Sequence, residues 1–142
     1  MRALLDVNVL IALLDSDHAS HDSAMHWFAA NGMDGWASCP ITQNGCIRVM
    51  ANPGYPNALP VAAIVERLAN AAGQPQHAFW ADDASVLDGA TADASRIHGP
   101  GQLTDIYLLA LAVKHRGRLV TFDRSIALEA VQGARKQNVV VL

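Results

Sequence analysis

The sequence predicts an α/β fold, a three-layer sandwich with a mainly parallel central sheet flanked by helices. Short apolar stretches alternate with longer helical patterns along the chain, an order that is typical of parallel strands joined through helices. The apolar stretches also lack the polar alternation of a sheet with one face in water, so we expect both faces to be covered. The 142 residues, 51% of them hydrophobic, are sufficient for a single domain over residues 1–142.

Each predicted strand is a short apolar stretch, and helical patterns fill most of the chain between the strands. The strands are RALLD (2–6), GWASC (35–39), HAFWAD (77–82), RLVTFD (118–123) and NVVVL (138–142). The helices are predicted over residues 7–15, 16–32, 40–53, 60–73 and 103–117. The last of these helices is apolar nearly all round, so we expect it to be buried in the fold.

Helix boundaries are predicted from capping residues and helix breakers. Ser16 or Asp17 is the expected N-cap of the second helix, and Gly32 is its expected terminator. Pro40 opens the third helix, because proline suits the first helical turn. Thr104 is the expected cap of the fifth helix.

Charge and hydropathy exclude several classes of protein. The formal net charge is −3, so a polyanionic partner needs a local basic patch or a bound cation. No uncharged apolar run approaches the ~18 residues of a membrane span. Asp6 and Asn8 interrupt the N-terminal apolar stretch that would otherwise resemble a signal peptide. We therefore expect a cytoplasmic protein with no membrane partner, in which Cys39 and Cys46 are reduced core thiols.

Three aspartates occupy related positions in the predicted sheet. Asp6 ends the first strand, Asp123 ends RLVTFD, and Asp105 opens the most buried helix. Because ligands of open parallel sheets bind beyond the carboxyl ends of the strands, we expect the three carboxylates to share one cleft. Close carboxylates repel one another, and Mg²⁺ or Mn²⁺ relieves the repulsion through oxygen ligands. For each aspartate alone a structural role is the alternative, since a carboxylate also stabilises a helix N-terminus.

Three blocks of the sequence resemble a known family. LLDVNVLIALLD (4–15), GWASCPITQNGCIRVMANPGYP (35–56) and GPGQLTDIYLLALAVKHRGRLVTFDRSI (99–126) are similar, in that order, to blocks of the PIN-domain ribonucleases. The similarity is specifically to VapC-type toxins of type II toxin–antitoxin systems. It implies a PIN-like sandwich, Mg²⁺- or Mn²⁺-dependent cleavage of RNA, a cognate VapB-type antitoxin and a homodimer.

The resemblance also implies roles for individual residues. Asp6, Asp105 and Asp123 fall on the metal-binding acids of the family, and Asn8 falls on its polar residue two places after the first aspartate. The chain departs from the family early in the third helix, where Gln43 replaces the usual glutamate. Gln43 keeps a carbonyl ligand but removes one charge, and it cannot act as a general base.

Two alternatives to a metal-dependent ribonuclease remain open from the sequence. The first is a PIN-fold RNA-binding module in which catalysis is weakened or lost because Gln43 replaces the usual acid. The second is a phosphatase or a flap-type DNA nuclease that uses the same carboxylates. The substrate distinguishes these classes.

Further polar residues are assigned to the surroundings of the predicted site. Thr121 is expected to hydrogen-bond a site carboxylate from its own strand, and Asn8 to orient ligands or water. A basic group around the fourth strand is expected to flank Asp123 and is a candidate for contacts with RNA phosphates. Its members are Lys114, His115, Arg116, Arg118 and Arg124.

Other conspicuous residues are interpreted as structural. The histidines near the second helix lack a third placed ligand, so exposed helix positions are favoured over a zinc site. They are His18, His21 and His26. The loop aspartates Asp82, Asp83 and Asp88 are interpreted as solvated charges, although one of them could reach the cleft. The tryptophans Trp27, Trp36 and Trp80 are interpreted as core residues.

Overall fold

A five-stranded sheet with every strand pair parallel forms the centre of the protein in the computed structural model, which describes residues 1–142. The strands are β1 (Ala3–Leu5), β2 (Trp36–Ser38), β3 (His77–Phe79), β4 (Arg118–Thr121) and β5 (Val139–Val141). Their spatial order is β3-β2-β1-β4-β5. This confirms the predicted α/β class with a parallel sheet, and the strands are shorter than the apolar stretches that predicted them.

Five helices connect and cover the strands. They are α1 (Val7–Leu14), α2 (His21–Asn31), α3 (Pro40–Met50), α4 (Val61–Ala72) and α5 (Leu103–Lys114). The longest of them have 12 residues, and no helix combines the length and apolar character that crossing a membrane requires.

Two predicted helix caps are wrong. The second helix begins at His21 after Ser20, because side chains earlier in the turn bind the backbone: Asp15 Oδ1 accepts from Asp17 N at 3.0 Å, and His18 Nδ1 accepts from Ser20 N at 3.0 Å. Thr104 lies inside α5, which instead follows a short 3₁₀ turn over Pro100–Gln102. Local hydrogen bonds therefore set the start of α2.

The core has two layers, one on each face of the sheet. Alternate residues of β1 face opposite layers: Leu4 packs in the layer that contains α5, and Leu5 in the layer that contains residues of α1, α3 and α4. The buried members of the α5 layer include Trp80, Ile106, Leu109, Leu111 and Leu119. Those of the opposite layer include Val9, Trp36, Cys46, Ile64 and Val120. Both faces are covered, as the unbroken apolar stretches predict.

The predicted core residues are largely confirmed. Trp36 and Trp80 are buried, and Trp27 is half-buried. Cys39 and Cys46 are free thiols, both completely buried. The burial raises the pKa of the Cys46 thiol to about 12, so this residue behaves as a small apolar side chain.

The contact between α1 and α3 depends on a glycine. A methyl group added at Gly45 would come within 2.6 Å of Val7 Cγ2. Val7 directly follows Asp6 and begins α1, so this close approach holds the start of α1 against α3.

We expect Gly45→Ala to destabilise the protein by about 1–3 kcal/mol, because overpacking outweighs the gain in helix propensity. Urea denaturation measures the change in the free energy of unfolding. Adding Val7→Ala should restore part of the loss by making space for the methyl group. The control is Gly89→Ala, at a position with nothing within 4 Å of the added methyl group. Equal effects at Gly45 and Gly89 would contradict the close-approach explanation.

Candidate functional site: a carboxylate cluster at the sheet edge

Asp6 leaves the sheet at the end of β1 and becomes the N-cap of α1. Its Oδ1 accepts a hydrogen bond from Val7 N at 2.7 Å, and its Oδ2 accepts from Thr121 Oγ1 at 2.6 Å. The residue is only 6% exposed. Burial raises the pKa of its carboxyl group, and the two hydrogen bonds partly oppose that shift. The structural and functional interpretations of Asp6 are thus compatible, because the helix cap lies at the edge where the other acids lie.

The Thr121 hydroxyl group joins three parts of this edge. It donates to Asp6 Oδ2 and accepts from Asn8 Nδ2 at 3.3 Å and from the Asp123 backbone N at 3.0 Å. Asn8 Oδ1 in turn accepts from Phe122 N at 3.4 Å. The hydroxyl therefore uses its single donor and two acceptor positions, and Thr121 and Asn8 lie beside Asp6 as predicted.

Asp105 lies in the first turn of α5 and interacts with both other aspartates. Its pKa is raised to about 6, first by burial and then by the negative charges of Asp6 and Asp123. The interaction between the Asp105 and Asp123 side chains raises the pKa of Asp105 and lowers that of Asp123. Asp123 is the member that stays ionised, because the hydrogen bonds from Ser125 lower its pKa. The structure thus brings together the three aspartates that the sequence singled out.

This donor set has the chemistry of a hard divalent cation site. All three side chains offer carboxylate oxygens, which Mg²⁺ and Mn²⁺ prefer. Burial is the main cause of the raised pKa of Asp105, and the charges of Asp6 and Asp123 add a repulsion that a cation would relieve. As the side chains are placed, no group of three or more Asp, Glu, His or Cys residues is arranged to hold a metal ion. The fit therefore rests on donor chemistry and charge.

The Gln43 side chain hydrogen-bonds Ser38, the last residue of β2, rather than one of the three aspartates. Its Nε2 donates to Ser38 Oγ at 3.0 Å, and the same oxygen lies 2.8 Å from His77 Nε2. The Gln43 side chain also lines a groove of about 390 Å³ between α3 and α4. None of the three aspartates is among its hydrogen-bond partners. The expectation that Gln43 substitutes for a metal-site glutamate therefore gains no support from its contacts.

The basic group predicted around Asp123 is divided between the two edges of the sheet. Arg118 begins β4, whereas Asp123 follows the other end of the strand, and Arg116 lies in the turn before β4 with a positive φ of 56°. The Arg118 guanidinium lies 5.5 Å from the Trp27 ring centroid and donates to Asn31 Oδ1 at 3.4 Å. The prediction that these two arginines flank Asp123 is wrong, and only Arg124 is next to it in the chain.

The two remaining basic residues pair with a loop aspartate. His115 Nε2 lies 3.1 Å from Asp83 Oδ1, and Lys114 Nζ lies 3.6 Å from Asp83 Oδ2. His115 also stacks on Trp80 with ring centroids 4.5 Å apart. These contacts lower the pKa of Asp83 and attach its loop to the C-terminal end of α5. Asp83 is thus an ion-pair residue rather than an unpaired solvated charge.

The histidine contacts argue against a zinc site near α2. His18 lies in the turn before the helix, where its Nδ1 accepts from a backbone N–H, so the neutral ring carries its hydrogen on Nε2. His21 Nδ1 lies 2.7 Å from the Ala12 carbonyl oxygen. Both residues are half-buried, contrary to the expected exposure, whereas His26 is exposed.

The sequence interpretation missed Ser125, whose backbone N and Oγ both donate to Asp123 Oδ1, at 2.7 and 2.6 Å. The signal was present in the spacing, since an aspartate followed two places later by serine is a common local hydrogen-bonded turn. The contact between Ser38 and His77 was missed because the two residues are 39 positions apart.

Comparisons with known proteins identify the family. A family model described as PIN domain matches residues 3–131. Ribonuclease VapC44 of Mycobacterium tuberculosis is 55% identical over 142 residues, covering 100% of both chains. Ribonuclease VapC39 of the same organism is 40% identical over 134 residues, covering 94% of this chain and 96% of the relative.

Two solved structures share the fold at low sequence identity. Mycobacterium tuberculosis VapC20, a Sarcin-Ricin loop cleaving toxin, has a TM-score of 0.61 and 14% identity, covering 94% of this chain and 99% of that chain. VapBC2 from Rickettsia felis, bound to a DNA fragment from its promoter, has a TM-score of 0.57 and 12% identity, covering 87% and 89%. Because the PIN-domain model spans most of the chain and VapC ribonucleases match it over nearly its full length, the chain belongs to the PIN-domain family, in its VapC branch.

Proposed function

We propose that this protein is a divalent-metal-dependent endoribonuclease that cleaves RNA by hydrolysis of a phosphodiester. The observation that carries the proposal is the clustering of Asp6, Asp105 and Asp123, where burial first and then the charges of the other two acids raise the pKa of Asp105 to about 6. The names of the similar proteins, Ribonuclease VapC44 and Ribonuclease VapC39, support RNA as the substrate class.

The three aspartates are the proposed ligands of Mg²⁺ or Mn²⁺. When bound, such a cation would neutralise phosphate charge and lower the pKa of a bound water, so that a nucleophile is available at neutral pH. Thr121 orients Asp6 through its hydrogen bond, and the Asn8 amide positions Thr121 and the backbone of Phe122. These contacts restrict the rotation of Asp6 and keep the ligand set arranged without the substrate.

The proposed partners are an RNA substrate, a cognate VapB-type antitoxin and a second copy of the chain. The antitoxin is supported by the structural similarity to VapBC2 from Rickettsia felis. We infer that the antitoxin acts by covering the carboxylate edge. The homodimer rests on the family resemblance alone.

The alternative of a weakened RNA-binding module has no support from the relatives, whose names all describe ribonucleases. The alternative assumes that Gln43 occupies the place of a metal-site acid, and the hydrogen bond of Gln43 to Ser38 gives that assumption no support. A glutamine that binds Ser38 stabilises the fold whether or not the protein cleaves RNA.

The proposal is tested by incubating the purified protein with total RNA, with and without Mn²⁺. We expect cleavage only with the cation, and Asp6→Asn, Asp105→Asn and Asp123→Asn should each slow it by about 100-fold or more. Asp88→Asn, in an exposed loop, is the matched control and should cleave normally. Circular dichroism checks that each variant is folded. Normal cleavage by two of the three site variants would refute a shared site.

The raised pKa of Asp105 predicts a pH-dependent loss of stability in the metal-free protein. Its folded-state pKa of about 6 exceeds the unfolded value near 3.8, so between these values the folded state holds a proton that the unfolded state has lost. Stability from this group is therefore present below about pH 4 and is lost as pH rises through about 6. Because the residue is partly exposed, we expect a loss of about 1 kcal/mol.

The comparison with Asp105→Asn isolates this contribution from other titrating groups. The stability difference between the variant and the wild type, measured by urea denaturation in EDTA, should grow in favour of the variant from pH 4 to pH 7. A difference that is constant across this range would show that Asp105 titrates normally.

The contacts of Gln43 predict that a carboxylate at this position does not strengthen the binding of Mn²⁺. In Gln43→Glu the donor to Ser38 Oγ is lost, and the Ser38 hydroxyl must donate either to the new carboxylate or to His77. We expect a destabilisation of about 1 kcal/mol and an unchanged increase of Tm on addition of Mn²⁺. The control is Asn44→Asp, which adds the same charge one residue further along α3 at an exposed position. A larger Mn²⁺ effect only in Gln43→Glu would show that this position reaches the cation.

A further inference from the structure

The two oxygens of Asp123 have unequal environments. Oδ1 accepts two hydrogen bonds from one residue, the Ser125 backbone N at 2.7 Å and Ser125 Oγ at 2.6 Å. Apart from the neighbouring Asp105 carboxyl group, no N–H or O–H group of the chain donates to Oδ2. Asp6 differs, because its two donors are divided between its two oxygens. Ser125 therefore occupies one side of Asp123 and leaves the other side open.

The same three-residue arrangement occurs a second time in the chain and shows what the open oxygen does. Asp93 Oδ1 accepts from Ser95 N at 3.0 Å and from Ser95 Oγ at 2.6 Å. Asp93 Oδ2 then faces a cation, since Arg96 Nε lies 3.4 Å from it. In this turn the serine binds one oxygen, and the other oxygen is free for a positive partner.

At Asp123 the open oxygen has no arginine or lysine partner within salt-bridge distance. The next residue is Arg124, which is exposed and makes no ion pair with it. Asp105 is instead the charged group within reach of the Asp123 side chain. An oxygen left open beside a second carboxylate is suited to a cation supplied from solution.

We propose that Ser125 is a positioning residue that makes Asp123 a one-oxygen ligand and thereby favours Mg²⁺ over Ca²⁺. This inference rests on the proposed metal dependence. Mg²⁺ requires near-octahedral geometry with short bonds, whereas Ca²⁺ accepts more ligands and binds carboxylates through both oxygens. Two hydrogen bonds on Oδ1 oppose two-oxygen binding and so disfavour the larger ion.

The test compares divalent-ion binding without RNA. The full chain is stripped with EDTA and titrated with MgCl₂ or CaCl₂, and the increase of Tm gives a Kd for each ion. In Ser125→Ala the Oγ donor is lost, and we expect Mg²⁺ affinity to fall about tenfold while Ca²⁺ affinity changes much less. The preference for Mg²⁺ should fall by a similar factor. Ser125→Thr retains a hydroxyl group and should preserve the preference, and Ser125→Cys, with a weaker donor, should be intermediate.

Ser95→Ala is the matched control, because it removes the same hydrogen bond from the turn at Asp93. It should leave both dissociation constants unchanged. An unchanged ion preference in Ser125→Ala, or an equal change in Ser95→Ala, would overturn the role of Ser125 while leaving the proposed ribonuclease intact. A wild-type protein that neither ion stabilises would instead overturn the proposed metal dependence, and this inference with it.

Discussion

Mutual repulsion among carboxylates at one edge of a parallel sheet is the constraint on which the rest of this site depends. Parallel strands bring Asp6 and Asp123 to the same edge, and α5 brings Asp105 against them. The surrounding groups offset part of the electrostatic repulsion that this proximity causes. Thr121 and the α1 N-terminus stabilise the charge of Asp6, and Ser125 stabilises the charge of Asp123. Burial and the two neighbouring charges together raise the pKa of Asp105.

The opposite edge of the sheet has the complementary charge, but its arginines serve the fold. Arg2 donates from Nη1 to the carbonyl oxygens of Trp36 and Gln76, at 3.1 and 2.6 Å, and Arg118 lies over Trp27. These cations are separated from the aspartates by the length of the strands. Of the predicted basic group, only Arg124 is next to the carboxylate edge in the chain. A polyanion that approaches this edge would therefore depend mainly on Arg124 and a bound cation for attraction.

The sequence was most informative where a general rule of parallel sheets applied. The positions of Asp6 and Asp123 at strand ends follow from the apolar pattern alone, and their convergence follows from strand direction. The direction of Gln43 could not be predicted, since its partner Ser38 is shared with His77 on a different strand. Arg118 lies away from the aspartates although it is near Asp123 in the chain, because it is the first of the four residues of β4 and Asp123 follows the other end of that strand.

The repeated aspartate–serine turn at Asp93 and Asp123 has a consequence for how such a site tolerates change. In both places the orientation of the acid is set within three consecutive residues rather than by long-range packing. The chain beyond Ser125 can therefore vary in length or composition between relatives without rotating the Asp123 carboxylate. The loop residues Asp123 to Ser125 set the orientation of this carboxylate, whereas the sheet sets its location.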